Sequence, residues 1–271
     1  MIKTDGSQAL SGKCIVVIGG TAGLGLSASQ AFIAAGAAVV AVGLQAETVA
    51  GAQGELGPAA RVLQGDAASP DTATEAITKV IEEFGGFHGL YHVAGGSGRR
   101  WGDGPLHEIT DEGWSATFQL NLTSLFNSNR AAVRQFLAQS SPGSILNMGS
   151  VLGWSPSPRF FATHAYAAAK SAVLGFTKSC AAYYAAQRIR FNVLAPGLMH
   201  TPMAQRAAND ENIRAFIKTK QPLSGGRIGV PADVDAAAVY FMSDASSFVT
   251  GQVLAVDGGW SVSEGQIAAE A

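Results

Sequence analysis

The stretch Cys14-Ile-Val-Val-Ile-Gly-Gly-Thr-Ala-Gly-Leu-Gly25 decides the fold of this chain. Its first five residues form an apolar, β-branched run without alternation, which is typical of a strand buried on both faces. A glycine-rich turn follows, and residues 24–35 then read as a helix that Gly36 ends. A strand, a glycine-rich turn and a helix in this order predict the first unit of a parallel α/β sheet.

The same alternation continues along the chain. The patterns predict strands at 14–18, 38–42, 60–63, 90–93, 144–148, 190–194 and 252–256, and helices at 24–35, 46–56, 70–84, 111–139, 163–187, 203–220 and 231–243. No linker or internal repeat divides them. We therefore predict an α/β fold: one doubly wound, Rossmann-type domain over residues 1–271, with a core at 13–260, a central parallel sheet of about seven strands, and helices on both faces. Residues 203–220 are a candidate substrate lid.

Composition excludes several classes of function. The net charge of −2 does not favour nucleic-acid binding. Only 14% of the residues are charged, below the usual quarter or so, and such surfaces are often covered by other subunits. Cys14 and Cys180 lie in apolar segments, which indicates a reduced, cytoplasmic chain. Residues 1–12 lack the apolar region of a signal peptide, and glycines divide the uncharged stretch 14–46, so we expect no membrane span.

The glycine-rich turn is a candidate site for a dinucleotide. Glycines let the backbone approach a pyrophosphate, and the helix N-terminus offers free N–H groups and the positive end of its dipole. The spacing is G-x-x-x-G-x-G instead of the commoner G-x-G-x-x-G. The predicted contacts in this turn are Gly19, Thr21, Ala22, Gly23, Leu24 and Gly25.

Two further strand ends extend the candidate site, because ligands of open α/β sheets lie at the carboxyl ends of the strands. Asp66, followed by Ala67, is predicted to accept a hydrogen bond from an adenine amino group. Its alternative role is a helix N-cap, for which Ser69 is better placed. After the fourth strand, the small residues Ala94 and Gly95 leave room for a ribose.

Tyr166 and Lys170 are a candidate catalytic pair. Residues four apart on a helix share a face, and a neighbouring cation lowers the pKa of a phenol. A tyrosine of that kind acts as a general acid or base near neutral pH. Such a pair is also common by chance, so the assignment depends on what accompanies it.

Taken together, the motifs resemble those of the single-domain branch of the short-chain dehydrogenase/reductase family, over residues 13–260, and in particular its 3-oxoacyl-carrier-protein reductase-like members. The matches in chain order are Gly19, Gly23 and Gly25 in the turn, Ala94-Gly95, Asn121, Ser150, Tyr166 with Lys170, Pro196-Gly197 with Thr201, and Val256 to Gly259.

The resemblance implies a function and a site. The chain would transfer a hydride between a nicotinamide cofactor and a carbonyl or secondary alcohol. Tyr166 would be the general acid/base, and Lys170 would lower its pKa and hold the nicotinamide ribose. Ser150 would bind the substrate oxygen, and Asn121 would help hold a water. Cofactor contacts would include Tyr166 and Lys170 themselves, Pro196, Gly197 and Thr201.

The chain departs from the family pattern in three places. Ile18 stands where a threonine is usual, and His92-Val93 replaces a pair of asparagines, which puts local support of the fourth strand in doubt. The separation between Ser150 and Tyr166 is longer than usual. We infer an inserted loop at 154–161, in which Ser155 and Ser157 are rival candidates for the serine role.

The cofactor is predicted to be NAD in preference to NADP. The second strand ends at Gly43-Leu44-Gln45, without the carboxylate that usually binds the NAD ribose and without a cation for the NADP phosphate. Leaving the ribose diol of NAD without a carboxylate partner costs less free energy than leaving the phosphate dianion of NADP without a cation.

The substrate is predicted to be sizeable and apolar, with an anionic group as a further option. The candidate pocket residues are Trp101, Trp154, Phe160, Phe161, Met199, Arg99, Arg100 and Arg159. The alternative is that the arginines are solvated and the aromatic residues pack the loop. No metal site is expected, since His88, His92, His107, His164 and His200 have no ligand spacing.

The helix that carries Tyr166 is apolar nearly all round, which predicts a sheet on one side and a second subunit on the other. We therefore expect a homo-oligomer, a tetramer or a dimer. A second functional class remains open: a catalytically idle nucleotide-binding sensor or scaffold.

Overall fold

The stretch Cys14–Ile18 forms the central strand, β1, of a seven-stranded sheet in the computed structural model, which describes residues 8–266. All five of its residues are buried. On one side it pairs in parallel with β2 (Ala38–Gly43) and on the other with β4 (Gly89–His92). The described part excludes residues 1–7 and 267–271. Most of the segment 1–12, for which we expected no signal peptide, therefore lies outside it.

The other strands are β3 (Ala60–Gln64), β5 (Gly143–Met148), β6 (Ile189–Pro196) and β7 (Val253–Val256). All neighbours are parallel, and the order across the sheet is β3-β2-β1-β4-β5-β6-β7. The order reverses between β1 and β4, so the carboxyl ends of these strands flank the crevice where sheets of this kind bind ligands. The predicted doubly wound fold is confirmed.

Helices cover both faces of the sheet. They are α1 (Gly23–Ala34), α2 (Ala46–Leu56), α3 (Thr72–Phe84), α4 (Asp111–Phe118), α5 (Ser124–Ala138), α6 (His164–Tyr184), α7 (Gln205–Asn209), α8 (Glu211–Lys220) and α9 (Ala232–Met242). Phe32 of α1 and Phe241 of α9 lie in the core on one face, while Ile77 of α3 and Phe136 of α5 lie in the core on the other. No helix within residues 8–266 combines the length and apolarity needed to cross a bilayer.

Three helices differ from the sequence prediction. The run 111–139 contains a π-helical turn, Gln119–Thr123, which separates α4 from α5. The run 203–220 is two helices, because the Asp210 carboxylate accepts hydrogen bonds from the first turn of α8 and starts a new helix. The third predicted helix begins at Thr72, and Ser69 is not its cap.

In the single chain, α6 is buried along one stripe and exposed along another; the predicted second subunit on the exposed side stays a prediction. One stripe is buried in the fold, at Ala165, Ala169, Val173, Thr177 and Ala181. Another stripe is exposed, at Ser171, Gly175, Lys178 and Ala182. A small or alanine side chain fits either environment, so composition alone did not separate the two stripes.

His92 stands where the family pattern has an asparagine, which put the local support of β4 in doubt. The structure shows that the His92 side chain itself supplies this support. Its Nδ1 lies 2.8 Å from the Ser128 hydroxyl and its Nε2 lies 3.3 Å from the Ser124 hydroxyl, both on α5. Burial lowers the pKa of His92 to about 3, so the ring is neutral. The strand is therefore tied to α5 by an uncharged pair of contacts.

The N-terminus of α6 is capped from a distant loop. Thr163, at the N-cap position, makes no side-chain hydrogen bond to the first turn of the helix. Instead the buried Asp103 carboxylate accepts from the Ala165 N–H through Oδ1 and from the Tyr166 N–H through Oδ2, each at 3.0 Å. A carboxylate at this end also interacts favourably with the helix dipole. Asp103 thereby fixes the first turn of the helix that carries Tyr166.

Replacing Asp103 should loosen this helix. Asp103→Ala leaves two N–H groups without their acceptors, and we expect a loss of stability of about 1–3 kcal/mol. Asp103→Asn keeps one acceptor oxygen and should lose less. Thermal unfolding followed by circular dichroism measures both. An alanine variant that unfolds at the wild-type temperature would show that the cap is dispensable.

Candidate active site

Tyr166, Ser150 and Lys170 converge on one cleft at the carboxyl ends of the central strands. Ser150 follows β5, its hydroxyl accepts from the Leu152 N–H at 3.2 Å, and it hydrogen-bonds the Tyr166 hydroxyl. One helical turn further along α6, the buried Lys170 ammonium donates to the Met148 carbonyl at 2.9 Å and lies 5.6 Å from the Tyr166 ring centroid. The structure therefore brings the three predicted side chains together.

The electrostatics of the pair differ from the sequence expectation. The pKa of Tyr166 is raised, because burial disfavours the phenolate more than the Ser150 hydrogen bond favours it. Burial also lowers the pKa of Lys170 to about 8. The lysine remains a cation at neutral pH, and the tyrosine remains a protonated phenol. In this state Tyr166 has a proton to donate.

Asn121 holds the loop after β4. Its Oδ1 accepts from the Gly96 N–H at 3.0 Å, and its Nδ2 donates to the Gly96 carbonyl at 2.8 Å and to the Thr117 carbonyl at 2.9 Å. A Cβ at Gly95 would lie 2.7 Å from Oδ1, so that position needs a glycine. The Asn121 amide group thus donates to two carbonyl groups of the protein. Its predicted contact with a water stays a prediction.

The glycine-rich turn is shaped for a close approach of backbone to ligand. A Cβ at Gly25 would lie 1.9 Å from the Gly19 carbonyl oxygen, and Gly19 has a φ of +87°. Ala22, at the N-cap of α1, has no side chain that caps the first turn. The N–H groups of that turn are thus left for a pyrophosphate, and the residues present fit a dinucleotide.

The Thr21 side chain packs towards the end of β2, and its predicted contact with the cofactor stays a prediction. Its hydroxyl lies 3.1 Å from that of Thr48, and the side chain is buried. A Cβ at Gly43 would lie 2.0 Å from the Thr21 hydroxyl, so the glycine at the end of β2 makes room for it. The next residue, Leu44, is exposed.

The remaining predicted cofactor residues lie at the same edge of the sheet. One oxygen of the exposed Asp66 carboxylate accepts from the Ala68 N–H at 2.8 Å. Thr201 comes within 3.5 Å of a Cβ built on Gly23, so the segment after β6 closes over the glycine turn. The other members are Ala67, Ala94, Pro196 and Gly197, of which Pro196 and Gly197 line the cleft.

The cleft encloses about 1090 Å³ of empty space including its open mouth. Of the predicted pocket residues, Arg99, Phe161 and Met199 line it, whereas Trp101, Trp154, Phe160, Arg100 and Arg159 do not. Sequence reasoning missed Met203, Arg206 and Trp260, which also line it. Two features of the sequence could have identified these residues as part of the cleft. Trp260 directly follows the tail motif that ends at Gly259, and Met203 and Arg206 lie in the candidate lid at 203–220.

The inserted loop at 154–161 is fastened by aromatic contacts. Phe160 packs on Phe216 of α8 at 5.2 Å between ring centroids, and Phe161 packs on Trp260 at 5.5 Å. The rival serines Ser155 and Ser157 do not line the cleft. The geometry therefore favours Ser150 over both. Within residues 8–266, no group of three or more His, Cys, Asp or Glu side chains could hold a metal ion.

Comparisons with known proteins agree with this architecture. A family model described as enoyl-(acyl carrier protein) reductase matches residues 19–261. The chain is 33% identical over 252 residues to a 2,5-dichloro-2,5-cyclohexadiene-1,4-diol dehydrogenase of Sphingobium indicum, covering 93% of this chain and 98% of that protein. It is 33% identical over 257 residues to the 3-oxoacyl-[acyl-carrier-protein] reductase of Thermotoga maritima, covering 92% and 98%.

A solved structure is similar over the same range. That of a short-chain type dehydrogenase/reductase from Mycobacterium ulcerans matches with a TM-score of 0.86 at 31% identity, covering 94% of this chain and 92% of that one. With a family model over most of the chain and relatives matched nearly end to end, this chain belongs to the short-chain dehydrogenase/reductase family of NAD(P)-dependent oxidoreductases that act on CH–OH and C=O groups.

Proposed function

We propose that Tyr166 is the general acid and base of this oxidoreductase, and that Ser150, Lys170 and Asn121 complete its site. The observation that carries the proposal is the convergence of Tyr166, Ser150 and Lys170 on one cleft beside the glycine-rich turn. A bound nicotinamide supplies or accepts the hydride. The protein orients the substrate and the cofactor and supplies the proton for the substrate oxygen.

Each residue has a defined task in carbonyl reduction. The Ser150 hydroxyl holds the substrate oxygen next to Tyr166, which donates its proton to that oxygen. Because burial raises the pKa of Tyr166, the proton is in place before reaction at neutral pH. The nearby Lys170 cation stabilises the phenolate that remains. Asn121 holds the loop after β4 in place beside the site through its contacts with Gly96.

The cofactor is proposed to be NAD. It would lie along Gly19 to Gly25, with its adenine near Asp66 and its ribose near Ala94 and Gly95. No cation stands at the end of β2, where Leu44 and Gln45 are exposed and neutral. Glu47, in the first turn of α2, adds a negative charge there that disfavours a ribose phosphate.

The substrate is proposed to be a sizeable, mainly apolar ketone or secondary alcohol. Phe161, Met199, Met203 and Trp260 give the cleft an apolar wall. The Sphingobium relative is named for a ring diol, which suits such a wall. The relatives reported above carry enzyme names, which gives no support to the idle sensor or scaffold.

The proposed assembly is a homo-oligomer, a tetramer or a dimer, in the cytoplasm. Trp114 of α4 and Phe126 of α5 are exposed although large and apolar, and α4 packs beside α6. A second copy of the chain would cover them and the exposed stripe of α6. The two free thiols, Cys14 and Cys180, suit a reducing compartment.

Tyr166→Phe should abolish most turnover while leaving the cofactor site intact. We expect kcat/KM to fall by about 10²–10⁴-fold, the range supplied by a positioned acid or base. The assay is NADH oxidation across a panel of ketones and aldehydes, with NADH binding measured by fluorescence. Ser155→Ala serves as a control and should retain activity, whereas Ser150→Ala should not. A wild-type protein that binds NADH and reduces no member of the panel would favour the idle scaffold.

Leu44→Arg should move the cofactor preference towards NADPH. The wild type is expected to show the higher kcat/KM with NADH at equal cofactor concentration. The added guanidinium should change the NADPH/NADH ratio on the order of tenfold, equivalent to about 1.4 kcal/mol. Leu44→Gln, neutral and of similar length, is the matched control. A clear NADPH preference in the wild type contradicts the proposal.

Light scattering should give a mass of two or four chains. The chain mass is 27.8 kDa, so the species are well separated. Phe126→Glu places a charge in the proposed interface and should shift the mass towards that of one chain. A wild-type mass of one chain at micromolar concentration would refute the assembly.

A further inference from the structure

The cleft carries an imbalance of charge. Three cationic side chains line it, Lys170, Arg99 and Arg206, and no carboxylate does so among its described lining residues. Lys170 belongs to the reaction site. The two arginines have no task in proton or hydride transfer, and the wall between these groups is largely apolar.

The arginines reach the cleft from two separate segments. Arg99 begins a short 3-10 turn, Arg99–Trp101, in the loop after β4, and Arg206 lies in α7, after β6. Both line the same cleft, and the charge of Arg206, after burial, contributes to the lowered pKa of Arg99. Both side chains are also partly exposed, so solvent screens some of their repulsion, and an anion between them would relieve the rest.

Within residues 8–266, neither Arg99 nor Arg206 forms an ion pair. The charge of Asp103 opposes the lowering of the Arg99 pKa, but its two oxygens already accept from the N-terminus of α6. Among the described residues, the Arg206 guanidinium donates to the Phe160 carbonyl, at 3.5 Å. By contrast, Asp233 binds Arg227 through both carboxylate oxygens, at 2.6 and 2.7 Å.

We propose that Arg99 and Arg206 together bind a carboxylate group of the substrate, so that the enzyme interconverts hydroxy acids and oxo acids with an apolar body. The inference rests on the proposed function, because it places the carboxylate in the cleft where Ser150 and Tyr166 hold the reacting oxygen. The planar fork of a guanidinium matches the two oxygens of a carboxylate. The aromatic wall of Phe161 and Trp260 receives the hydrocarbon between the two ends.

A second anion comes near this region, the pyrophosphate of the cofactor. The glycine-rich turn and the N-terminus of α1 already offer it N–H donors without side-chain help. We therefore assign the arginines to the substrate. The experiment separates the two assignments, because a pyrophosphate contact would appear in the KM for NADH.

Binding is the first measurement, and it does not require turnover. Cyclohexanecarboxylate and its neutral amide, cyclohexanecarboxamide, are titrated into the enzyme–NADH complex by calorimetry. The wild type should bind the carboxylate about tenfold more tightly, a modest value because both guanidinium groups are partly solvated. Arg99→Met and Arg206→Met should each reduce the preference, and the double variant should abolish it. Equal affinities in the wild type would overturn the proposal.

Turnover is the second measurement, with 4-oxocyclohexanecarboxylate and its methyl ester as substrates for NADH-dependent reduction. The acid/ester ratio of kcat/KM should exceed unity in the wild type and fall about tenfold in each arginine variant. Arg100→Met is the matched control, because Arg100 stacks on Trp101 at 3.8 Å and does not line the cleft. An unchanged ratio with a raised KM for NADH would move the arginines to the cofactor. Carboxylate binding without reduction of either compound would sink the proposed chemistry and leave the anion site standing.

Discussion

The buried ammonium of Lys170 is the constraint on which the site depends. An ammonium has three N–H donors, and among the described residues Lys170 donates to one acceptor, the Met148 carbonyl. Burial of a charge with so few partners costs free energy, which is expressed in its lowered pKa. In the proposed complex, the ribose diol of the cofactor would supply further acceptors to the ammonium and reduce that free-energy cost.

Much of the surrounding structure keeps this arrangement in place. The Lys170 helix is held at its first turn by Asp103, the loop beside it is held by Asn121, and β4 is tied to α5 through His92. Asp103 and Asn121 bind backbone N–H groups, and His92 binds another side chain. In each case the two partners lie tens of residues apart along the chain. On the side of the sheet the site is therefore held by hydrogen bonds to distant parts of the chain. Its opposite wall consists of shorter elements, α7 and the 3-10 turn at Arg99–Trp101.

The sequence predicted the elements well because their signals are local. The apolar run at β1, the glycines that end strands, and the four-residue spacing of Tyr166 and Lys170 each act within a few residues. The same locality explains the failures. No glycine or proline in the sequence marks the π-helical turn at Gln119–Thr123. The cap of α6 comes from Asp103, which lies 62 residues from Ala165 along the chain. The raised pKa of Tyr166 follows from burial, which a spacing on a helix does not reveal.

The remote cap also bears on how the first turn of α6 stays ordered. A helix without a local N-cap frays at its first turn, and the first turn of α6 contains Tyr166. Its fixing carboxylate belongs to the loop after β4, 62 residues away from Ala165 along the chain, so this turn is held only when that loop has docked. The order of the backbone around Tyr166 is thus coupled to the conformation of a loop in another part of the chain. A change in that loop would reach the phenol through the end of its helix, without touching the ring.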